Sequence, residues 1–103
     1  MAGSVSVPLV VSRTTLSSSQ RLTLVWTAAT AAGYRYDVQY RFEPAGGAFG
    51  TWVNWKPNQT TASVSVTPAS IAGAGTYLFR ARLENTATHA ISLWSPAITV
   101  AAT

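Results

Sequence analysis

The run Tyr77-Leu78-Phe79-Arg80-Ala81-Arg82-Leu83-Glu84-Asn85 places an apolar residue at every odd position as far as Leu83, with mostly polar residues between. Side chains repeat with a period of two only in a β-strand, where successive residues point to opposite faces. The run therefore predicts a half-buried strand whose core face is Tyr77, Phe79, Ala81 and Leu83. It constrains the architecture more tightly than any activity.

The rest of the chain repeats this pattern. Leu22, Leu24 and Trp26 alternate with Arg21, Thr23 and Val25, and Trp26 is expected at the centre of the core. From Tyr34 to Phe42, Tyr36, Val38 and Tyr40 share one face while Arg35, Asp37, Gln39 and Arg41 share the other. Val5 to Val11, interrupted by Pro8, suits an edge strand, because proline has no N–H for a central ladder. Thr14 to Gln20 reads as a polar turn, Ala28 to Gly33 as a small-residue loop, and Glu43 to Gly47 as a turn set by Pro44 and its glycines. Thr51 to Trp55 resumes a strand that Lys56 to Thr60 is expected to break. Val64 and Val66 mark another that stops before Pro68, and Ile71 to Gly75 reads as a tight crossover. After the loop Thr86 to Ala90, Ser95 to Val100 closes the chain with Ile98 and Val100 inward. Seven short strands without helices predict an antiparallel sandwich, with a barrel as the alternative.

With 103 residues the chain fits one domain spanning 1–103 and can bury a core without metals or disulfides. Hydrophobic residues make up 48% and charged residues only 10%, against about 25% in an average globular protein, which excludes compositional disorder. Absence of cysteine rules out disulfides and thiolate metal sites. No apolar stretch approaches the ~20 residues of a membrane helix, and the N-terminal residues lack a signal-peptide pattern, so a soluble piece is expected and no membrane partner. A chain of this composition beginning Met1-Ala2-Gly3-Ser4 is expected to be a module of a longer polypeptide. Seven basic against three acidic residues give a net charge of +4. Arg13, Arg21, Arg35, Arg41, Lys56, Arg80 and Arg82 are scattered singly, without the clustered basic face or stacking motif of a nucleic-acid binder, so nucleic acid is not an expected partner.

Four segments, in order, carry a family resemblance. Leu22-Thr23-Leu24-Val25-Trp26, then Tyr36-Asp37-Val38-Gln39-Tyr40-Arg41, then Ile71 with Gly75-Thr76-Tyr77-Leu78-Phe79-Arg80-Ala81-Arg82, and finally Ser95-Pro96-Ala97-Ile98-Thr99-Val100 together resemble a fibronectin type III domain. The resemblance spans nearly the whole chain. Its departures are Ala81, where the family usually has a larger β-branched residue, and Ala69-Ser70-Ile71, where it more often has a leucine. It implies a seven-stranded immunoglobulin-like β-sandwich in which Trp26, Tyr36, Val38, Ile71, Tyr77 and Phe79 are structural. It also implies that the Tyr77 hydroxyl bonds back to the backbone near Ile71 to Gly73.

Catalysis has little to work with. Asp37, Glu43 and Glu84 are not forced together by sequence, His89 has no acid or second histidine close by in sequence, and no serine sits in a Gly-x-Ser-x-Gly elbow. No enzyme activity, metal or cofactor is expected. Trp52 and Trp55, three apart, are expected on opposite faces, one in the core and one half exposed, where a flat ring could stack on a sugar. Arg80 and Arg82 share an outward face with Arg35, Asp37, Gln39 and Arg41 if the strands adjoin as the resemblance implies. Trp94-Ser95 resembles half of the Trp-Ser-x-Trp-Ser element of cytokine receptors, which implies one of these arginines over Trp94. Covering the sheet accounts for both residues without a ligand. Asn58-Gln59-Thr60 fits a glycosylation acceptor, meaningful only in a secreted eukaryotic context.

The expected role is a spacer or interaction module of a larger extracellular or cell-surface protein, of bacterial type by resemblance. Its partners would be the neighbouring domains of the parent chain, and another protein or a polysaccharide. The two rival readings are a carbohydrate-binding module using Trp52 or Trp55 and a protein-binding module using Ala28 to Gly33 or Asn85 to Ala90.

Overall fold

The computed structural model describes residues 9–27 and 32–103. Eight strands occur among them: β1 (Val10–Val11), β2 (Thr15–Leu16), β3 (Leu22–Val25), β4 (Tyr34–Pro44), β5 (Val53–Gln59), β6 (Ser63–Val66), β7 (Gly75–Asn85) and β8 (Ile98–Ala102). They form two sheets, ordered β1-β3-β6 and β2-β8-β7-β4-β5. One apolar cluster joins Leu22, Leu24 and Trp26 of the smaller sheet side to Tyr36, Val38, Tyr77, Phe79, Ala81 and Val100 of the larger, an arrangement consistent with a β-sandwich.

Alternation built these faces. Leu22 and Leu24, Tyr36 and Val38, and Tyr77, Phe79 and Ala81 are all buried at every second position, as the sequence pattern predicts. Each large side chain taken fully out of water contributes roughly 1.5–3 kcal/mol. Trp26 is wholly buried, yet its indole Nε1–H is satisfied by the Thr61 carbonyl at 2.7 Å. Ile71 is half-buried against the same cluster.

Four expectations need correction. The strand count is eight, because the first strand breaks at Ser12 to Thr14 and changes sheets: β1 pairs antiparallel with β3, whereas β2 pairs parallel with β8. The sandwich is therefore not antiparallel throughout, and part of Thr14 to Gln20 is strand, with Leu16 buried; two residues are too short for a period to register in sequence. Lys56 to Thr60 does not break the fifth strand, which runs through Pro57 to Gln59. β5 is the outer edge of its sheet, where a missing N–H is tolerated, and Asn58 absorbs the irregularity at a φ of 55°. A three-residue 3-10 turn, Pro68–Ser70, leads into the crossover, with proline at its start presetting φ, and among the described residues the fold is otherwise strands and turns, as expected. Val5 to Pro8 and Ala28 to Ala31 lie outside the described residues.

Gly75 opens β7 at a φ of 150°, and a methyl group there would run into the Glu43 carbonyl and the Phe42 ring. Two residues on, the fully buried Tyr77 turns its hydroxyl to the crossover. The hydroxyl donates to the Gly73 carbonyl at 2.6 Å, accepts the Ala72 N–H at 3.1 Å, and lies 3.2 Å from the Pro68 carbonyl. The phenol thereby ties β7 to the turn that feeds it. The body measures 44 × 24 × 18 Å. Val10 lies beside Val25 at the end that also carries Asn85, while Ala102 lies beside Gly75 and Leu16 at the opposite end.

Removing the hydroxyl in Tyr77→Phe leaves buried carbonyls short of a donor and is expected to cost about 1–3 kcal/mol, read as a lower midpoint in urea or heat. Burial pushes the Tyr77 phenol above the usual tyrosine pKa, against the lowering effect of its backbone donors. The folded state then holds its proton where the unfolded chain has released it. This contribution is intact below about pH 10 and is lost as pH rises beyond it. Tyr77→Phe should flatten that alkaline decline in thermal midpoint, and an unchanged slope would remove the assignment.

Candidate interaction site on the outer face

β4 and β7 pair without interruption from Tyr34↔Asn85 to Pro44↔Gly75. Since the odd residues of β7 face the core, its even residues face out, and the register sets the outward rows. Arg41 stands opposite Leu78, Gln39 opposite Arg80, Asp37 opposite Arg82, and Arg35 opposite Glu84. Three arginines thus meet on two adjoining strands although no two are neighbours in sequence.

Aromatic rings close over them from both sides. The Arg80 guanidinium lies 3.9 Å from the Trp52 ring centre and 4.3 Å from that of Trp94. Arg82 lies 4.5 Å from the same Trp94 ring, and Arg41 is 5.6 Å from Trp52 and 5.5 Å from Phe49. Arg80 and Arg82 are two residues apart on a strand, a spacing of about 7 Å that matches one ring between two guanidiniums. The interleaved order is Phe49, Arg41, Trp52, Arg80, Trp94, Arg82. The resemblance implied one arginine over Trp94; the structure gives two, and adds Trp52.

Polar bonds hold each guanidinium in plane. Arg80 Nε and Nη2 both donate to Gln39 Oε1, at 2.9 and 2.6 Å, while Gln39 Nε2 donates to Asn54 Oδ1 at 2.5 Å, so an amide relay crosses β7, β4 and β5. Arg82 Nε meets Asp37 Oδ2 at 3.1 Å, and the other Asp37 oxygen accepts the Asn58 N–H at 2.9 Å. Arg41 Nε donates to the Gly50 carbonyl at 3.0 Å. Burial pushes the Arg80 guanidinium below its usual pKa, and the like charges of Arg82 and Arg41 add to the effect.

Trp94 is carried by a segment that belongs to no strand. Ser92 N–H donates to the Leu83 carbonyl while Ser92 Oγ accepts the Leu83 N–H; Ser95 repeats both bonds with Ala81. Two serines three apart thus bond to Leu83 and Ala81 of one strand, and Trp94 between them stands against Arg80 and Arg82. Ser95 is buried, and the segment has no buried side-chain polar atom lacking a partner.

Trp52 and Trp55 part company as their spacing predicts. Trp55 packs on the core side, edge-on to Tyr40 at 6.0 Å and 5.7 Å from Phe79, with Lys56 Nζ 5.3 Å from its ring. His89, placed without an acid nearby in sequence, sits 3.4 Å from Glu84, because Asn85 to Ala90 closes as a tight loop held by the Asn85 side chain. Among the described residues no three His, Asp or Glu side chains come together to hold a metal, and no helix is long and apolar enough to cross a membrane. Sequence reasoning missed Ser92, Phe49 and Asn54 as participants; only the Ser-x-x-Ser spacing offered a signal for the first.

Comparison with protein-family models and with curated protein sequences returns no match. The site therefore stands on its geometry.

Two substitutions test the ladder. Ser95→Ala strands the buried Ala81 N–H and is expected to cost about 1–3 kcal/mol, measured by denaturant unfolding. Arg80→Lys keeps the charge but loses the paired bonds to Gln39 and the flat stacking surface. It should destabilise by about 1 kcal/mol and shift tryptophan fluorescence through both Trp52 and Trp94; an unaltered emission maximum would mean the rings do not rest on Arg80.

Proposed function

We propose that this chain is a non-catalytic module of fibronectin type III type, acting as a rigid spacer with an interaction face in a larger secreted or surface-exposed multidomain protein. The observation that carries the reading is the separation of the two ends: β1 begins at one pole of an elongated body and β8 finishes at the other. A unit threaded in this way holds its flanking segments a body length apart. The adjoining of β4 and β7, which the resemblance implies, supports the family assignment. So does the Tyr77 hydroxyl at the crossover.

The ladder geometry favours this reading over carbohydrate binding. Sugar stacking needs a free ring face, and Trp94 has guanidiniums at 4.3 and 4.5 Å while Trp52 has them at 3.9 and 5.6 Å. Trp55 is turned to the core. The chemistry of the outer face is that of a side-chain lattice that stiffens the sheet.

The chain contains no cysteine, so labelling sites can be introduced without interference. One copy and then two copies in tandem, placed between a donor and an acceptor dye, should show a transfer distance that grows by about one long dimension, 44 Å, per added copy. Growth with the square root of residue number, the behaviour of a flexible linker, would sink the spacer role.

A further inference from the structure

We propose that the outer face around Arg41 and Arg80 docks a short, extended acidic segment of a partner protein, one that presents two carboxylates at alternate positions. This deepens the interaction role proposed above and rests on it.

Within the ladder, charge pairing separates these two arginines from Arg82. Arg82 is neutralised by Asp37 at 3.1 Å, whereas neither Arg41 nor Arg80 has a carboxylate partner among the described residues. Their Nε groups are spent on the Gly50 carbonyl and on Gln39, which leaves the Nη1 groups of both without an acceptor among the described residues. Mutual repulsion among Arg41, Arg80 and Arg82 is already felt, and an anion laid between them relieves it.

Spacing selects the ligand. Arg41 faces Leu78 and Arg80 faces Gln39, so the two arginines are diagonal neighbours on adjoining strands, about 7–8 Å apart. Alternate side chains of an extended peptide repeat at about 7 Å. The outward rows end in carboxylates, Glu43 opposite Thr76 and Glu84 opposite Arg35, which repel a longer acidic run and confine it to the middle. Phe49, Trp52 and Leu78 lie half-buried beside the two guanidiniums. Their apolar surface suits the side chain between two acidic residues of a peptide and offers nothing to the hydroxyls of an acidic polysaccharide.

A short synthetic peptide alternating glutamate and valine provides the probe, titrated into the 15N-labelled chain. The expected result is saturable shifts confined to the Trp52 and Trp94 indoles and the Arg41 and Arg80 side chains, weakening as salt is added. A lysine–valine peptide should produce none. Arg41→Gln, at the end of the ladder, should lower affinity about three- to fivefold. Shifts that are absent, that map to other faces, or that are matched by an oligogalacturonate at equal concentration would overturn the proposal. The map on the unsubstituted protein decides the matter even if Arg41→Gln unfolds, and the tandem-distance measurement is untouched by either outcome.

Discussion

The uninterrupted register between β4 and β7 is the constraint on which both faces of the molecule depend. Side chains alternate along each strand, so a slip of one residue would turn Arg80 and Arg82 inward and deliver Tyr77 and Phe79 to water. The same eleven-residue pairing that seals the core therefore assembles the arginines outside it. Core and ladder are two readings of one alignment. A mutation that loosens either face acts on the other through the shared backbone.

Gathering like charges on a sheet has a cost, and the ladder shows how it is offset. Arg80 sits between two charged neighbours and is partly withdrawn from water, yet its guanidinium meets π-faces on Trp52 and Trp94 and one oxygen of Gln39. Each such cation–π contact contributes roughly 0.5–1 kcal/mol where it remains partly exposed. Lysine would replace it at a loss, because an ammonium has no plane to lie against indole and no paired donors for Gln39. The rings in turn shelter the β7 outer surface from solvent at the place where the adjoining segment, Ile91 to Ser95, is too irregular to form a strand. Side-chain oxygens of Ser92 and Ser95 take the place of backbone acceptors there.

How much of this was legible in the sequence follows from the physics of each element. The long alternating runs of β4 and β7 declared themselves, since eleven residues at period two leave little ambiguity. Trp26 and Tyr77 were readable as buried because each ends or anchors such a run. The split first strand was not readable: β1 and β2 hold two residues each, and the switch between sheets is decided by partners far along the chain. Continuation of β5 through Pro57 was hidden for a different reason. Proline reads locally as a breaker, and only the position of β5 at the sheet edge makes it harmless. The ladder was half legible: Arg80, Arg82 and Trp94 stood out, but joining Trp52 to them required knowing that the β5 side of the sheet folds its ring across β4.

Edge chemistry bears on why the proposed docking surface is the outer face and not a strand edge of the larger sheet. An open edge invites a foreign strand, and the larger sheet blunts both of its edges. β5 carries Pro57, a left-handed Asn58 and two shifts of register against β4, so its outward backbone cannot present a regular ladder. At the far side, β2 covers β8 with only two residues and in the parallel sense. Strand addition is poorly served at either border. The docking proposed above therefore uses side chains standing off the middle strands, Arg41 and Arg80, which have no carboxylate partner among the described residues. A face held by its own cation–π lattice fixes those donors in advance, which would lower the ordering entropy that the proposed docking must overcome.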